Sequence, residues 1–378
     1  MRRVLILTAG YGEGHNSAAR ALHAAFTENS GVEAELVDLF ALKAPRLNEI
    51  TRRGYLGLIN RAPGIWRAVY AWLDRSRLAP KMFSLLPGHA RLLSRVIAQR
   101  NPVALVSTYP VYSWLLRSGR FQGQRRPQFT VVTDAITINS LWYRAPSDSW
   151  FLTDQDSAAI LTGQGVPPDK VHVSGFPVAA AFADRPPHLA PPEPADTVPP
   201  RILYMINSGR ARARATARAL MAERRWRLTI TAGRDTILQA ELQQMAKNSA
   251  APVEILGWTN RIPELLMTHH VVISKAGGAT TQESINALCP MIVNQIVPGQ
   301  EEGNCELLRR HGAGTLAETP AAIHAALDGA FSNGAAGWRR WRANLQRIAR
   351  PDAARVIART VLDHVESQPV ASATAGRQ

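Results

Sequence analysis

The 378-residue chain is short of several things, and each shortage excludes a class. It has two cysteines, Cys289 and Cys305, too few for a disulfide framework and not in a metal-binding spacing. No apolar run approaches the ~20 residues that a membrane-spanning helix needs. The N-terminal apolar run, Val4 to Ala9, is too short for the apolar region of a secretory signal. Lysine is scarce: of 44 basic residues, 5 are lysine and the rest arginine. Acidic residues number 29, which leaves a formal net charge of +15. Guanidinium groups grip phosphate bidentately, so such a surface favours phosphate-bearing partners. With 46% apolar and 19% charged residues, the composition is globular rather than disordered. The length suits two domains, each with its own core. The first expectation is therefore a soluble, cytosolic, two-domain protein with an anionic partner.

Apolar β-rich runs alternate with helical stretches along the whole chain. Strands are expected at Val4–Leu7, Glu35–Leu39, Val103–Ser107, Phe129–Thr133, Trp150–Thr153 and Val171–Ser174, then at Ile202–Ile206, Leu228–Thr231, Val253–Leu256, Val271–Ser274 and Met291–Asn294. This alternation reads as α/β, with parallel sheets covered by helices. From Pro186 to Pro200 the pattern stops, and 7 of the 15 residues are proline. That stretch reads as a linker. The expected organisation is a first domain at 1–184, a linker at 185–200 and a second domain at 201–334. Helices at 335–365 would return toward the first domain, and 366–378 would form a disordered tail. Two open α/β sheets joined by a hinge enclose a cleft beyond the carboxyl ends of their strands, where ligands bind.

Two glycine loops sit where such a cleft would be. The first, Gly10-Tyr11-Gly12-Glu13-Gly14-His15, follows the first strand and opens a helix. Glycines allow a sharp turn and close approach to a ligand, and a helix start favours negative charge. The dinucleotide spacing G-x-G-x-x-G fails, because its third glycine would fall on His15, although Asp38 ends the second strand region as that motif requires. His15 itself titrates near neutrality when unperturbed and could take a proton in the cleft; the alternative is a histidine that packs the helix start. The second loop runs Lys275-Ala276-Gly277-Gly278-Ala279-Thr280-Thr281-Gln282-Glu283. Its helix start would meet a pyrophosphate, with Thr280 as an added donor, and Glu283 could accept both hydroxyls of a ribose. A capping box from Thr280 to Glu283 is the competing reading. Pro298–Asn304 then sets Gln300, Glu301, Glu302 and Asn304 close together, a density that suits a polyhydroxyl ligand. The Gly257-Trp258-Thr259 turn could hold a flat base.

Read in order, G-x-G-H at 12–15, V-V-T-D at 131–134, G-F-P at 175–177, G-W at 257–258, G-G-x-T-x-x-E at 277–283 and P-G-Q-E-x-x-N at 298–304 resemble one family. It is the group of lipid glycosyltransferases that includes monogalactosyldiacylglycerol synthase and the processive diacylglycerol glucosyltransferases, relatives of the peptidoglycan enzyme MurG. The resemblance runs from about residue 3 to about 330. It implies a GT-B fold of two Rossmann-like domains, a UDP-sugar held by the second and a lipid acceptor such as diacylglycerol held by the first. It further implies inverting hexosyl transfer with no metal or other cofactor. Carried over, His15 is the base toward the acceptor hydroxyl, with Asp134 or Glu13 orienting it or replacing it. Gly277, Gly278 and Thr280 form the phosphate turn, Glu283 binds ribose, the backbone at Thr259 meets uracil, and Gln300, Glu301 and Asn304 lie near the sugar. Gly12, Gly14, Asn139 and Trp142 fall on the acceptor side. Two departures stand out. The family commonly has a histidine between positions 134 and 142, where Asn139 stands here. The first loop of the second domain is usually glycine-rich and here reads Asn207-Ser208-Gly209-Arg210. Arg210, with Lys275, could supply phosphate binding in its place, while Arg214 and Arg218 read as a solvated face.

Between Lys43 and Arg100 there are 12 basic and 2 acidic residues. The same segment holds Ile65, Trp66, Val69, Tyr70 and Leu73 at helical spacing, besides Arg67, Arg75, Arg77, Phe83 and Leu85. A basic helix with an aromatic face suits an anionic bilayer, so Trp66 and Tyr70 are expected at the membrane and the protein at the inner face of the cell membrane. A buried stripe and a nucleic-acid patch are the alternatives. The Asp154-Gln155-Asp156 triplet mimics a metal-binding D-x-D but opens a helix, where aspartates cap. Rival functions are a UDP-sugar epimerase or hydrolase, an N-acetylglucosamine transferase with another acceptor, a nicotinamide oxidoreductase using Gly10–Asp38, and a nucleic-acid or regulatory sugar-nucleotide binder.

Overall fold

The computed structural model describes residues 1–46, 48–51, 54, 57, 62–76, 82, 86–117, 125–186, 188–194, 198–207, 209–299 and 301–367. Two six-stranded sheets organise it. The first comprises β1 (Arg2–Thr8), β2 (Val32–Asp38), β3 (Ala104–Ser107), β4 (Gln128–Val131), β5 (Ser149–Leu152) and β6 (Val171–Val173), in the order β2-β1-β3-β4-β5-β6. The second comprises β7 (Arg201–Met205), β8 (Arg227–Thr231), β9 (Val253–Leu256), β10 (Val271–Lys275), β11 (Met291–Gln295) and β12 (Gly314–Leu316), in the order β12-β11-β10-β7-β8-β9. Every ladder is parallel. The reason lies in the strands themselves: β3 and β5 are buried at every position and β1 and β7 at most, so both sheet faces carry helices. Eleven strands lie where the apolar runs place them. β12 escaped because Gly-Thr-Leu is too short to show any period.

In each sheet the strand order reverses once, between β1 and β3 and between β7 and β10. Loops diverge at such a switch point and leave a crevice at the carboxyl edge. The Gly10–Gly14 loop leaves β1 and Thr108 follows β3; Asn207 lies beyond β7 and Gly277 beyond β10. Both glycine loops therefore stand at switch points.

Seven helices matter below: α1 (Glu13–Thr27), α2 (Pro63–Arg75), α3 (Arg210–Met221), α4 (Gly278–Ala287), α5 (Glu302–Arg310), α6 (Pro320–Ile348) and α7 (Ala353–Ser367). The expected final helical stretch is in fact two helices. α6 breaks at Ser332–Ala335, where three successive residues take positive φ, and α7 follows a turn at Pro351. Glu366 and Ser367, expected in the tail, end α7, and the rest of the expected tail, 368–378, lies outside the described residues. α7 buries Ala354, Ile357, Ala358, Val361 and Leu362 against Val4, Ile6, Phe26 and Phe129 of the first sheet's core. Arg355 fastens it there by ion pairs to Glu28 and Asp184. The crossing back is tight: Gly175 has φ +91°, and a side chain on it would strike Arg350.

α2 shows which of two apolar rows faces inward. Ile65, Val69 and Trp72 are 60%, 37% and 57% exposed, whereas Trp66, Tyr70 and Leu73 are partly buried. Trp66 and Tyr70, expected at a membrane, instead turn toward the protein with ring centroids 6.0 Å apart. Arg77, Phe83 and Leu85 lie outside the described residues. No helix among the described residues is long and apolar enough to cross a membrane.

Candidate active site

The loop after β1 is built to aim one side chain. Gly12 is the N-cap of α1, so His15 falls in the first turn and points in under the loop. Its Nδ1 lies 2.8 Å from the Thr108 carbonyl and 2.9 Å from the Thr133 hydroxyl. A carbonyl can only accept, so the ring proton sits on Nδ1 and the Nε2 lone pair is left for another partner. Burial lowers the imidazole pKa to about 4, against a small opposing effect of the Thr108 bond. Tyr109 meets the ring edge-on at 5.1 Å, and Trp142 lies 6.0 Å away.

Asp134, partly buried, also lies here, and desolvation raises its carboxyl to about 6 against the opposing effects of Trp142 and Tyr70. The Trp142 indole donates to it at 2.7 Å. The expectation that Asp134 or Glu13 orients His15 needs correction, because Thr108 and Thr133 occupy Nδ1. Glu13 is exposed and pairs with Arg20. Neither threonine stood out in the sequence, although Thr133 lies inside the V-V-T-D motif. Asn139 is buried and local in its bonding: its Oδ1 accepts from the Leu141 N–H at 3.0 Å and its Nδ2 reaches the Tyr70 carbonyl at 3.4 Å. Asp38, the nominal ribose acid of a dinucleotide site, accepts from the N–H groups of Gly10, Phe40 and Ala41 and so closes a turn.

The facing wall comes from the second sheet. α4 starts at Gly278 with Gly277 as N-cap and no side chain capping it. The Thr280–Glu283 capping box does not form: both residues lie inside the helix. The first-turn N–H groups thus lack an intrahelical acceptor and carry the positive end of the helix dipole. Glu283 is half-buried; burial first, then the charge of Glu13, pushes its carboxyl up to about 7, with Arg20 opposing. No hydrogen bond to its carboxyl occurs among the described residues. Glu301 is buried and already engaged, by Lys275 at 2.5 Å and by the Val297 N–H at 3.0 Å. Asn304 donates to the Ala276 carbonyl at 2.9 Å, while its buried Oδ1 is unpaired, as are Gln282 Nε2 and Gln295 Oε1.

One expected donor contact sits differently. Arg210, at the start of α3, is spent on Asp235, with N–O distances of 2.7 and 2.8 Å, and Arg214 pairs with Glu241. Thr259 accepts from the Arg261 N–H at 3.1 Å beside Trp258, which is 66% exposed with Arg234 over its ring. Gln300 lies outside the described residues. Asp154 caps its helix through the Ser157 N–H at 2.8 Å, and Asp156 pairs with Arg310 of the other half. Among the described residues no cluster of three or more His, Cys, Asp or Glu side chains could hold a metal.

The two walls meet edge to edge. A carbon added to Gly278 would lie 3.4 Å from the Thr133 carbonyl, and one added to Gly14 would lie 3.8 Å from the Ala279 nitrogen. Gly303 in α5 sits so close to Ala135 and Thr137 that no side chain fits there. The His15 loop, Thr133 and the α4 start are thus packed edge to edge.

A family profile for monogalactosyldiacylglycerol (MGDG) synthase matches residues 15–178. The chloroplastic monogalactosyldiacylglycerol synthase of Spinacia oleracea is 27% identical over 370 residues, which is 93% of this chain and 70% of that protein. The processive diacylglycerol beta-glucosyltransferase of Bacillus subtilis is 24% identical over 319 residues, 82% of each. In fold, MurG of Acinetobacter baumannii superposes with a TM-score of 0.65 at 15% identity, covering 96% of this chain and all of that one. The UDP-GlcNAc 2-epimerase of Neisseria meningitidis, bound to UDP-GlcNAc, gives 0.60 at 12% identity with the same coverage. The two facing sheets are the GT-B fold.

Proposed function

We propose that the chain is a member of the family of monogalactosyldiacylglycerol synthase and the processive diacylglycerol glucosyltransferases, and that it moves a hexose from a UDP-sugar to the hydroxyl of diacylglycerol, inverting the anomeric carbon. The observation that carries this reading is the meeting of His15 and an uncapped helix start across one cleft. The first half, 1–184, takes the acceptor and the second, 201–334, the donor.

The acceptor O–H gives its proton to Nε2 of His15 while its oxygen bonds to C1 of the hexose. The C1–O bond to the diphosphate breaks, and UDP departs with the electron pair. The N–H groups of Gly278, Ala279 and Thr280 receive the charge that develops on the leaving phosphate, a role preorganised dipoles perform well in a water-poor cleft. Burial keeps His15 neutral and ready to accept a proton at pH 7, although a pKa of about 4 makes it a weak base before the donor binds. The negative charge of a bound diphosphate raises an adjacent imidazole pKa, so the donor strengthens the base as it binds. Glu283 gains in the ribose hydroxyls the donors its carboxyl otherwise lacks. Lys275 and Glu301, as a pair, line the sugar end together with Asn304.

Ile65, Val69 and Trp72 on α2, with Arg67 and Arg75 beside them, suit contact with an anionic lipid surface, and we place the enzyme peripherally at the inner face of the cell membrane. Vesicles of diacylglycerol with anionic phospholipid, supplied in turn with UDP-glucose, UDP-galactose and UDP-N-acetylglucosamine, test the assignment. The expected products are one glycolipid and UDP. UDP release without acceptor would mark a hydrolase, interconversion of the free UDP-sugars an epimerase, and no turnover of any donor would end the reading.

A further inference from the structure

The Asp154-Gln155-Asp156 triplet takes no part in the proposed reaction, yet both aspartates are engaged, and both engagements lead to α5 in the other half. Asp154 caps the helix Gln155–Gly163. Its carboxylate accepts the N–H and the hydroxyl of Ser157, each at 2.8 Å. The fully buried Ser157 oxygen in turn accepts the Ile136 N–H at 3.0 Å. Ile136 has φ +56°, a left-handed conformation that is strained for a β-branched residue, and around it the Thr137 N–H returns to the Ala135 carbonyl at 2.6 Å. This tight turn receives Gly303: a carbon added there would overlap the Ala135 carbonyl oxygen and lie 2.7 Å from the Thr137 nitrogen. Asp156 reaches the opposite end of α5, 3.0 Å from Arg310. Between the two ends, Leu307 and Leu308 share one apolar core with Ala135 and Ile136. Asn304, next to Gly303, donates to the Ala276 carbonyl at 2.9 Å, one residue before the Gly277 cap of α4. The seat of α5 on the first half therefore decides where Asn304 stands.

We infer that the Asp154–Ser157 segment is a docking clamp for α5: Asp154, through Ser157 and the Ile136 turn, sets the seat of Gly303, Asp156 holds the far end, and the clamp positions Asn304 at the donor sugar. Asp154, Asp156, Ser157 and Gly303 are thus positioning residues. The inference rests on the proposed donor, since the hexose of that donor is what Asn304 would meet. It also separates the hexose from the nucleotide. The phosphate turn and Glu283 belong to α4, so displacing α5 bears first on the sugar and on its alignment with the acceptor.

Gly303→Ala in the full-length protein, assayed with UDP-hexose and diacylglycerol vesicles, tests the seat. The methyl cannot enter the turn, so α5 must withdraw. The donor KM is expected to rise about tenfold and kcat to fall about tenfold, as misplacement of a reacting group does. UDP affinity by calorimetry is expected to stay within threefold of wild type. Asp156→Arg tests the far end, where the pair is exposed and no core is disturbed. It is expected to raise the donor KM about threefold, a modest effect in keeping with an exposed pair, and Arg310→Asp added to it is expected to restore the wild-type value. Unchanged kinetics in Gly303→Ala, equal losses of UDP and UDP-hexose affinity in it, or an Asp156→Arg effect that is absent or not reversed by Arg310→Asp overturns the inference, while wild-type turnover upholds the function. If Gly303→Ala fails to fold, the charge-reversal pair decides alone. Absence of UDP binding and turnover in the wild type overturns both readings.

Discussion

The two walls of the cleft differ in how far their polar groups are already satisfied. On the first wall, His15 Nδ1 has two partners, Asp134 is held by the Trp142 indole, and Asn139 closes a short turn. On the second, Glu283 has a half-buried carboxyl with no hydrogen bond among the described residues, the α4 start is uncapped, and Asn304, Gln282 and Gln295 each keep a buried unpaired atom. Unmet buried polar groups cost roughly 1–3 kcal/mol each. A protein tolerates such a cost where a ligand removes it. On the proposed reading, the first wall is finished before substrate arrives and the second is completed by the donor.

The comparison can be broken at several points. The largest effect is expected from His15→Ala: a fall in kcat of roughly 10²–10⁴, the range for loss of a general base, with UDP affinity by calorimetry unchanged. A large loss of UDP affinity would move His15 to the donor wall. Next, Glu283→Gln should weaken UDP binding about tenfold and leave the melting temperature within a degree, since no internal bond is lost. Trp142→Phe should do the reverse, lowering the melting temperature by several degrees, because it strips a donor from the partly buried Asp134 and opens a core position. If Glu283→Gln is the more destabilising, the contrast between the walls is wrong.

The smallest effect concerns pH. Desolvation pushes Glu283 up to about 7, well above an ordinary glutamate. Ribose hydroxyls donate to the anion, so binding must expel the proton that the carboxyl holds below pH 7. UDP affinity should therefore decline as the pH falls from 8 to 6, and calorimetry in buffers of different ionisation enthalpy should detect proton release at pH 6.5. A flat affinity across that range would remove Glu283 from ribose binding.

The parallel strands were legible because strands buried on both faces read as continuous apolar runs, and the glycine loops because switch-point turns need glycine. The orientation of α2 was not. Ile65, Val69 and Trp72 share one spacing, and Trp66, Tyr70 and Leu73 share the same spacing one residue on. Periodicity reveals two apolar rows but not which of them meets the protein; the inward polar tie of Asp74 to Ser140 decides that. The pairing of Lys275 with Glu301, and of His15 with Thr108 and Thr133, joins residues 26 to 118 positions apart, so only the folded sheets bring them together.

The return of α7 to the first sheet carries a consequence for how the chain is made. Five of its side chains belong to the core that Val4, Ile6 and Phe26 begin. During synthesis the first sheet is therefore left uncovered on one side until α7 clears the ribosome. A polypeptide cut after the linker would be expected to emerge sticky and fail to hold its shape, and the halves of this enzyme would not survive being expressed apart.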